Sequence, residues 1–348
     1  MNINSIEKIN LDVYNEALKK WDSIAKPIDG MGRFETITAK IAAIQGSLDI
    51  KFDKKALIIM CADNGIVKEG ISQSEQDVTL AVAKNMANKK SSACIMAKHA
   101  GIDIYPVDIG INSKEKIEGV IDKKIACGTK NFLEEPAMSK EEVSKAIETG
   151  IFLVQELKLK GYNIIATGEM GIGNTTTSST LAAVLLKQSV ENVTGKGAGL
   201  SDDKYSHKIE VIKKAIAKYD TDNMEAVELL RTFGGFDIAG LTGVFVGGAL
   251  HHIPIVADGV ISLIAALLAE KIAPGTKDYI IASHKGKEPA MAIILKELQL
   301  EAVIDANMAL GEGTGAVMMI NLLSMALGIY KNFNTFEEIK IEQYERYK

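Results

Sequence analysis

Two glutamates, each set among glycines, are the residues most able to do chemistry. Glu169 lies in Gly168-Glu169-Met170-Gly171-Ile172-Gly173-Asn174-Thr175-Thr176-Thr177-Ser178-Ser179, between the apolar runs Ile164-Ile165-Ala166 and Leu181-Ala182-Ala183-Val184. An apolar strand, a glycine-rich bend and a hydroxyl-rich helix start describe a phosphate site: glycines let backbone N–H groups approach an anion, and a helix N-terminus favours negative charge. A carboxylate among those amides does not fit a simple phosphate cradle. It points to a ligand with a sugar or a cation beside its phosphate. Glu312 lies in Leu310-Gly311-Glu312-Gly313-Thr314-Gly315-Ala316. Its glycine neighbours leave access for a reacting atom, so it reads either as a general base, worth about 10²- to 10⁴-fold in rate, or as a helix-start acid interacting with the dipole.

Other polar residues are weaker signals. Asp63 and Asp258 each follow an apolar run and precede a glycine, which suits either a ligand or a turn. Lys208 and the loop Gly195-Lys196-Gly197-Ala198-Gly199 offer cations and pliable backbone, and a lysine is a natural phosphate partner. His251 and His252 lack partners at metal-ligand spacing and read as structural. Ser283-His284 has no nucleophile elbow around it, and adjacent side chains are expected to point apart. Neither GxGxxG nor GxxxxGK[ST] occurs, which removes support for NAD and nucleoside triphosphates.

These residues need a scaffold, and six short β-like runs supply it. They are Ala56 to Cys61, Ile102 to Val107, Asn163 to Ala166, Ile253 to Ala257, Tyr279 to Ala282 and Ala302 to Asp305, with helical patterns such as Glu141 to Leu157 and Asp258 to Glu270 between them. Such alternation predicts an α/β fold with a mainly parallel, six-stranded, Rossmann-like sheet covered on both faces. The polar turns after the runs would converge on one crevice at the carboxyl ends of the strands. Residues 50–313 are expected to form this large domain. Residues 1–49, helical from about residue 4, and 314–348 are expected to pair as a small helical subdomain. The interval 186–234, with helices near Asp203 to Tyr219 and Asn223 to Phe233, would wall the crevice.

The 348 residues are 47% hydrophobic and 24% charged, with a formal charge of −5. That balance lacks the basic excess of a nucleic-acid binder, and DNA, RNA and anionic membranes are discounted as partners. Cys61, Cys94 and Cys127 are widely spaced without CxxC pairing and read as reduced, buried thiols of a cytoplasmic protein. The first 21 residues lack a signal peptide's apolar core. Segments 240–269 and 314–330 are apolar, but the first is broken by His251, His252, Pro254 and Asp258. The second is shorter than the roughly 20 residues a span needs, and both read as buried core.

Taken in order, Lys26-Pro27-x-x-Gly30-Met31-Gly32-Arg33-Phe34-Glu35, Ala62-Asp63-Asn64-Gly65, Gly168 to Ser179, Gly234-Gly235-Phe236-Asp237-Ile238-Ala239, Asp258-Gly259, Ser283-His284 and Leu310 to Ala316 run through nearly the whole chain. With them the chain resembles the nicotinate-nucleotide:dimethylbenzimidazole phosphoribosyltransferase family of cobalamin lower-ligand assembly. The resemblance implies transfer of ribose 5-phosphate from nicotinate mononucleotide to a benzimidazole nitrogen, with release of nicotinate and inversion at the anomeric carbon. It implies neither metal nor redox cofactor, and a homodimer, for which the helices Gly240 to Leu250 and Val317 to Leu327 could supply an interface; a heterodimer with a paralogue is the other arrangement.

By the same resemblance Glu312 is the general base that removes the acceptor's ring N–H proton. Glu169 is the second active-site glutamate, near the ribose and its developing positive charge. Gly171, Gly173, Asn174, Lys208, Ser283, Gly311 and Gly313 fall at donor and phosphate positions, and Ser74, Val82 and Met170 at the acceptor-base pocket. Val82 stands where a relative has glutamine, Asn64 where histidine is frequent, and Asp29-Gly30 replaces Gly-Ser. A pocket without that amide discriminates differently, so the acceptor is a benzimidazole, a purine or a phenol, the last giving an O-linked product.

Overall fold

The computed structural model describes residues 6–197 and 199–346. Residues 4 and 5 of the expected N-terminal helical stretch, Ala198 of the glycine-rich loop and the last two residues of the tail lie outside the described residues. The strands are β1 (Lys55–Ala62), β2 (Ile102–Gly110), β3 (Ile121–Asp122), β4 (Ile164–Met170), β5 (Ile255–Ala257), β6 (Ile280–Ala282), β7 (His284–Gly286) and β8 (Ile304–Met308). The helices are α1 (Leu11–Ser23), α2 (Arg33–Gln45), α3 (Asp77–Ala87), α4 (Ser92–Ala100), α5 (Lys140–Leu159), α6 (Asn174–Leu186), α7 (Val190–Val193), α8 (Asp202–Ala217), α9 (Ala226–Phe233), α10 (Phe236–Leu250), α11 (Val260–Ile272), α12 (Ala290–Leu298) and α13 (Thr314–Asn332).

Strands β1 to β6 form one parallel sheet in the order β3-β2-β1-β4-β5-β6. β1 is its centre, buried on both faces because its side chains alternate between two cores. Ala56, Ile58 and Met60 point into the core formed with α5, α10 and α11. Leu57, Ile59 and Cys61 point into the core formed with α1, α2, α4 and α13. The helices of the two chain ends therefore pack together on one face of the sheet. There the Trp21 and Tyr330 rings lie 5.3 Å apart, and the Trp21 Nε1–H donates to Thr38 Oγ1 at 2.7 Å.

On the other face α5 and α10 touch backbone to backbone. A Cβ on Gly150 would collide with the Gly240 carbonyl oxygen, and one on Gly243 with that of Ile147. Gly243 and Gly247 of α10 are thus contact surface for α5, and every α10 residue from Phe236 to Ala249 is buried within the chain. This helix is not free to serve as an interface. α13 is long and apolar enough to cross a membrane by length and composition. Its buried side, with Ala316, Met319, Ile320 and Leu323, packs in the core beneath the sheet instead.

The expected count of six parallel strands holds, but its membership differs. The run Ala302 to Asp305 is not in the large sheet. The N–H groups of Val303 and Ile304 both donate to the Ser283 carbonyl, at 3.2 and 3.1 Å, and β8 then pairs with β7 as a separate two-stranded ribbon. Asp305, Ala306 and Asn307 are exposed, as an uncovered strand allows. The sixth strand is β3 at the edge, two residues long and too short to leave a periodic signal. Cys61 and Cys94 are buried as expected, whereas Cys127 is exposed.

Candidate active site

The order of the sheet reverses between β1 and β4, and ligands in open parallel sheets bind at such a point beyond the carboxyl ends of the strands. A cleft of about 300 Å³ lies there. Its walls are residues 71–73 after β1, 169–175 from the end of β4 into α6, 258–262 from the loop after β5 into α11, 286–288 from the end of β7 and 308–311 from the end of β8. Lys196, Gly197, Leu200, His284 and Met291 complete it.

The β4–α6 loop is built on missing side chains. A Cβ on Gly171 would lie 2.6 Å from Asp237 Oδ2. One on Gly173 would lie 2.6 Å from Val67 Cγ2, and Gly173 has φ +94°, which glycine adopts without strain. The loop delivers Asn174 and Thr175 to the cleft at the N-terminus of α6, a seat for an anion. Lys208, from α8 of the inserted region, lies behind this loop. It is fully buried, and its Nζ donates to Thr175 Oγ1 at 3.1 Å and to the Gly195 carbonyl at 3.2 Å. Burial pushes its pKa down to about 8, against the opposing pull of Glu288. Glu288 in turn accepts from the Gly197 N–H at 3.2 Å.

Glu169 spans two loops. Its Oε2 accepts from Asn174 Nδ2, and a Cβ on Gly311 would sit 3.0 Å from its Oε1. The same Asn174 nitrogen donates to Asp237 Oδ2 at 3.1 Å. Burial and then the charge of Asp237 raise the Glu169 pKa to about 8, with Asp258 and Glu312 adding to the rise and Asn174 opposing it. Burial likewise raises Asp237 to about 6.

Glu312 follows Gly311, the last residue of the β8 wall, and is itself not among the residues that line the cleft, although its charge is felt at Glu169. Its backbone is in the left-handed region, φ +59°, between Gly311 and Gly313, which are also left-handed. Its Oε2 accepts from the Ala93 N–H, in the first turn of α4, at 3.1 Å. Asp258 holds the loop from beneath: its Oδ1 accepts from the N–H groups of Gly315 and Ala316 at 2.8 and 3.2 Å, and its Oδ2 from that of Gly313 at 3.2 Å. Burial raises the Asp258 pKa, while His284 and these three amides lower it. Asp258 thus anchors the segment that presents Glu312, and Gly313 lies against the Thr167 carbonyl rather than on the cleft wall.

Most residues singled out for the donor meet at this cleft. Glu169, Gly171, Gly173, Asn174 and Gly311 line it, with Met170. Ser283 is wholly buried below, its hydroxyl 3.3 Å from the Asp258 carbonyl and 2.9 Å from His284 Nδ1. Contrary to expectation, these adjacent side chains do point together, because Ser283 lies at the break between β6 and β7. Ser74 follows the 71–73 wall without forming part of it, and its N–H donates to Ser72 Oγ at 3.3 Å. Val82, on α3, packs against the apolar core beneath the sheet.

The cleft also has an apolar side that sequence reading had not assembled: Val260, Ile261, Met291, Met308 and Leu310 beside Met170. Met308 and Leu310 abut the Glu312 motif, so proximity was the available signal for them; Val260 and Met291 had none. Asp237 appeared in the sequence only within the Gly234 to Ala239 motif, with no role of its own.

A family model described as Phosphoribosyltransferase matches residues 6–341. Nicotinate-nucleotide–dimethylbenzimidazole phosphoribosyltransferase of Acetivibrio thermocellus is 43% identical over 343 residues, covering 99% of this chain and 98% of its own. The protein of that name from Clostridium acetobutylicum is 44% identical over 346 residues, with coverage of 99% and 98%. The crystal structure of CobT from Thermus thermophilus superposes with a TM-score of 0.91 at 31% identity, over 96% of this chain and 100% of that one. The fold and the full-length likeness agree, and the chain belongs to the nicotinate-nucleotide–dimethylbenzimidazole phosphoribosyltransferase family, pentosyltransferases of cobalamin biosynthesis.

Proposed function

We propose that this enzyme transfers ribose 5-phosphate from nicotinate mononucleotide to 5,6-dimethylbenzimidazole or a related base, giving α-ribazole 5′-phosphate and nicotinate with inversion at the anomeric carbon. One observation carries the reading: Glu169 lines a cleft shared by the start of α6 and a set of apolar side chains, and the backbone of Glu312 abuts that of Gly168 beside it.

The phosphate lies at the N-terminus of α6, backed by Lys208 through Thr175. The ribose lies beside Glu169. Burial and the neighbouring acids raise its pKa in the free enzyme, and a cationic pyridinium or a developing positive charge at the anomeric carbon beside it favours the carboxylate form. The acceptor ring lies on the apolar wall. One ring nitrogen attacks the anomeric carbon as the bond to the pyridinium nitrogen breaks. That bonding pair returns to the leaving ring, so nicotinate departs without needing a proton. The acceptor's other nitrogen then gives its proton to Glu312, leaving a neutral N-glycoside. Apolar residues Ile95, Met318 and Met325 lie exposed on α4 and α13, and this face is our proposed site of dimer pairing.

The test is incubation with nicotinate mononucleotide and a panel of benzimidazoles, purines and phenols, with chromatography and mass analysis of products. An N-linked α-riboside phosphate with equimolar nicotinate is expected. An exclusively O-linked product would move the acceptor to the phenol class, and no product from any acceptor would overturn the function.

A further inference from the structure

The transfer chemistry above leaves Asp237 without a role, although its placement is costly. It is wholly buried at the start of α10, the helix otherwise made of apolar residues and glycine, apart from one threonine. A buried carboxylate needs compensation by hydrogen bonds or a cation. Among the described residues it forms no ion pair; the backbone amides of Asp237 and Ile238 at the start of α10 and the Asn64 side chain offset part of its charge, while its Oδ1 makes no hydrogen bond of full geometry. The side chain that links it to the cleft is Asn174. The Asn174 Nδ2 donates to Asp237 Oδ2 at 3.1 Å and also to Glu169 Oε2. An amide NH₂ carries two hydrogens, so both are committed, one to each carboxylate.

The surroundings hold this chain of three in place. Gly171 is pressed so closely on Asp237 that a Cβ there would lie 2.6 Å from Oδ2, and Gly235 packs against Oδ1. At the far end, the Gly311 backbone abuts Glu169 Oε1. The titratable groups around Glu169 are Asp237 from α10, Asp258 from the β5–α11 loop and Glu312 from the β8–α13 loop, all acids. Cys61 of β1 also lies in the field of Glu169 and Asp237.

We propose that Asp237 is a positioning residue: through the Asn174 amide it fixes the Glu169 carboxylate toward the ribose, and the Asp237–Asn174–Glu169 chain works as one unit. This rests on Glu169 as the sugar-facing acid. Cutting the chain at either link releases the same carboxylate. Asp237→Ala and Asn174→Ala should therefore each lower kcat on the order of 10²-fold, the cost of misplacing a reacting group, and the double variant should be no worse than the poorer single. Asp237→Asn keeps the shape and an oxygen to accept from Asn174 but removes the charge. It should retain most of kcat, and its pH–rate limb should move to lower pH.

The overturning results are wild-type kcat in Asp237→Ala, or single effects that multiply in the double variant. Carbon-13 carboxyl titration, with the Glu169 signal assigned by Glu169→Gln, gives a readout that needs neither turnover nor the alanine variants. The Glu169 midpoint should fall in Asp237→Asn. If the wild-type enzyme transfers nothing, the functional reading fails by itself. An unmoved Glu169 titration would then still overturn the proposed coupling.

Discussion

Gly168 and Glu312 touch through their backbones: a Cβ on Gly168 would lie 2.5 Å from the Glu312 carbonyl oxygen. The two loops that carry the site's glutamates are therefore seated on each other at the end of β4. Gly168→Ala should push the Glu312 loop away. The expected result is a loss of kcat larger than the change in donor KM, with destabilisation of about 1–3 kcal/mol from overpacking. Steady-state kinetics and thermal melts together check it, and unchanged kcat in a folded variant would count against the coupling of the loops.

Glu312→Gln keeps the side chain's size and its ability to accept from Ala93 N–H. Folding and donor binding should persist while turnover falls about 10²- to 10⁴-fold. Calorimetric titration with nicotinate mononucleotide, set beside single-turnover rates, separates these effects. Near-normal turnover would remove Glu312 from the base role.

Glu169 makes stability depend on pH. Its folded pKa is about 8 against an ordinary 4.5, so the native state binds the extra proton and stability falls as pH rises through that window, levelling off above it. Asp237, raised to about 6, adds to the lower part of the fall. Glu169→Gln should remove most of the slope and melt higher than wild type at the alkaline end. Melts at intervals across the window test the sign, and a variant that melts lower there contradicts it.

Lys208 is charged below about pH 8 and increasingly neutral above it in the free enzyme. Donor KM should therefore rise on the alkaline side, and Lys208→Met should raise KM at every pH while flattening that rise. Kinetics in two buffers across the range decide it; an unchanged KM in Lys208→Met would place the phosphate elsewhere.

Gly243→Ala tests packing far from the chemistry. The new methyl would collide with the Ile147 carbonyl, forcing α5 and α10 apart. A lower melting temperature with kcat unchanged at low temperature is expected, since the contact supports the sheet face and no cleft wall.

What was legible in the sequence tracks what is local. The central strands declared themselves because a strand buried on both faces must be a continuous apolar run, as Leu57 to Cys61 and Ile164 to Ala166 are. Glu169 and Glu312 were visible because their flanking glycines mark backbone that must approach something closely. β3 left no pattern because two residues pair only through neighbours already in place. Residues joined by tertiary packing alone were hidden: that Asp237 meets Asn174, or that Asp258 caps a helix 57 positions further on, is written in no spacing. Ser283 misled because strand-end geometry, not residue type, decided which way its hydroxyl faced.

The apolar side of the cleft is rich in methionine, with Met170, Met291 and Met308 around Val260 and Ile261. Thioether side chains are unbranched and polarisable, and they remould around differently shaped rings at little cost. With the acceptor seated there, such a wall sorts flat rings loosely. On the proposed function, the choice of base then passes from the enzyme to supply: the ring attached would follow which aromatic base is abundant, while the protein stays the same.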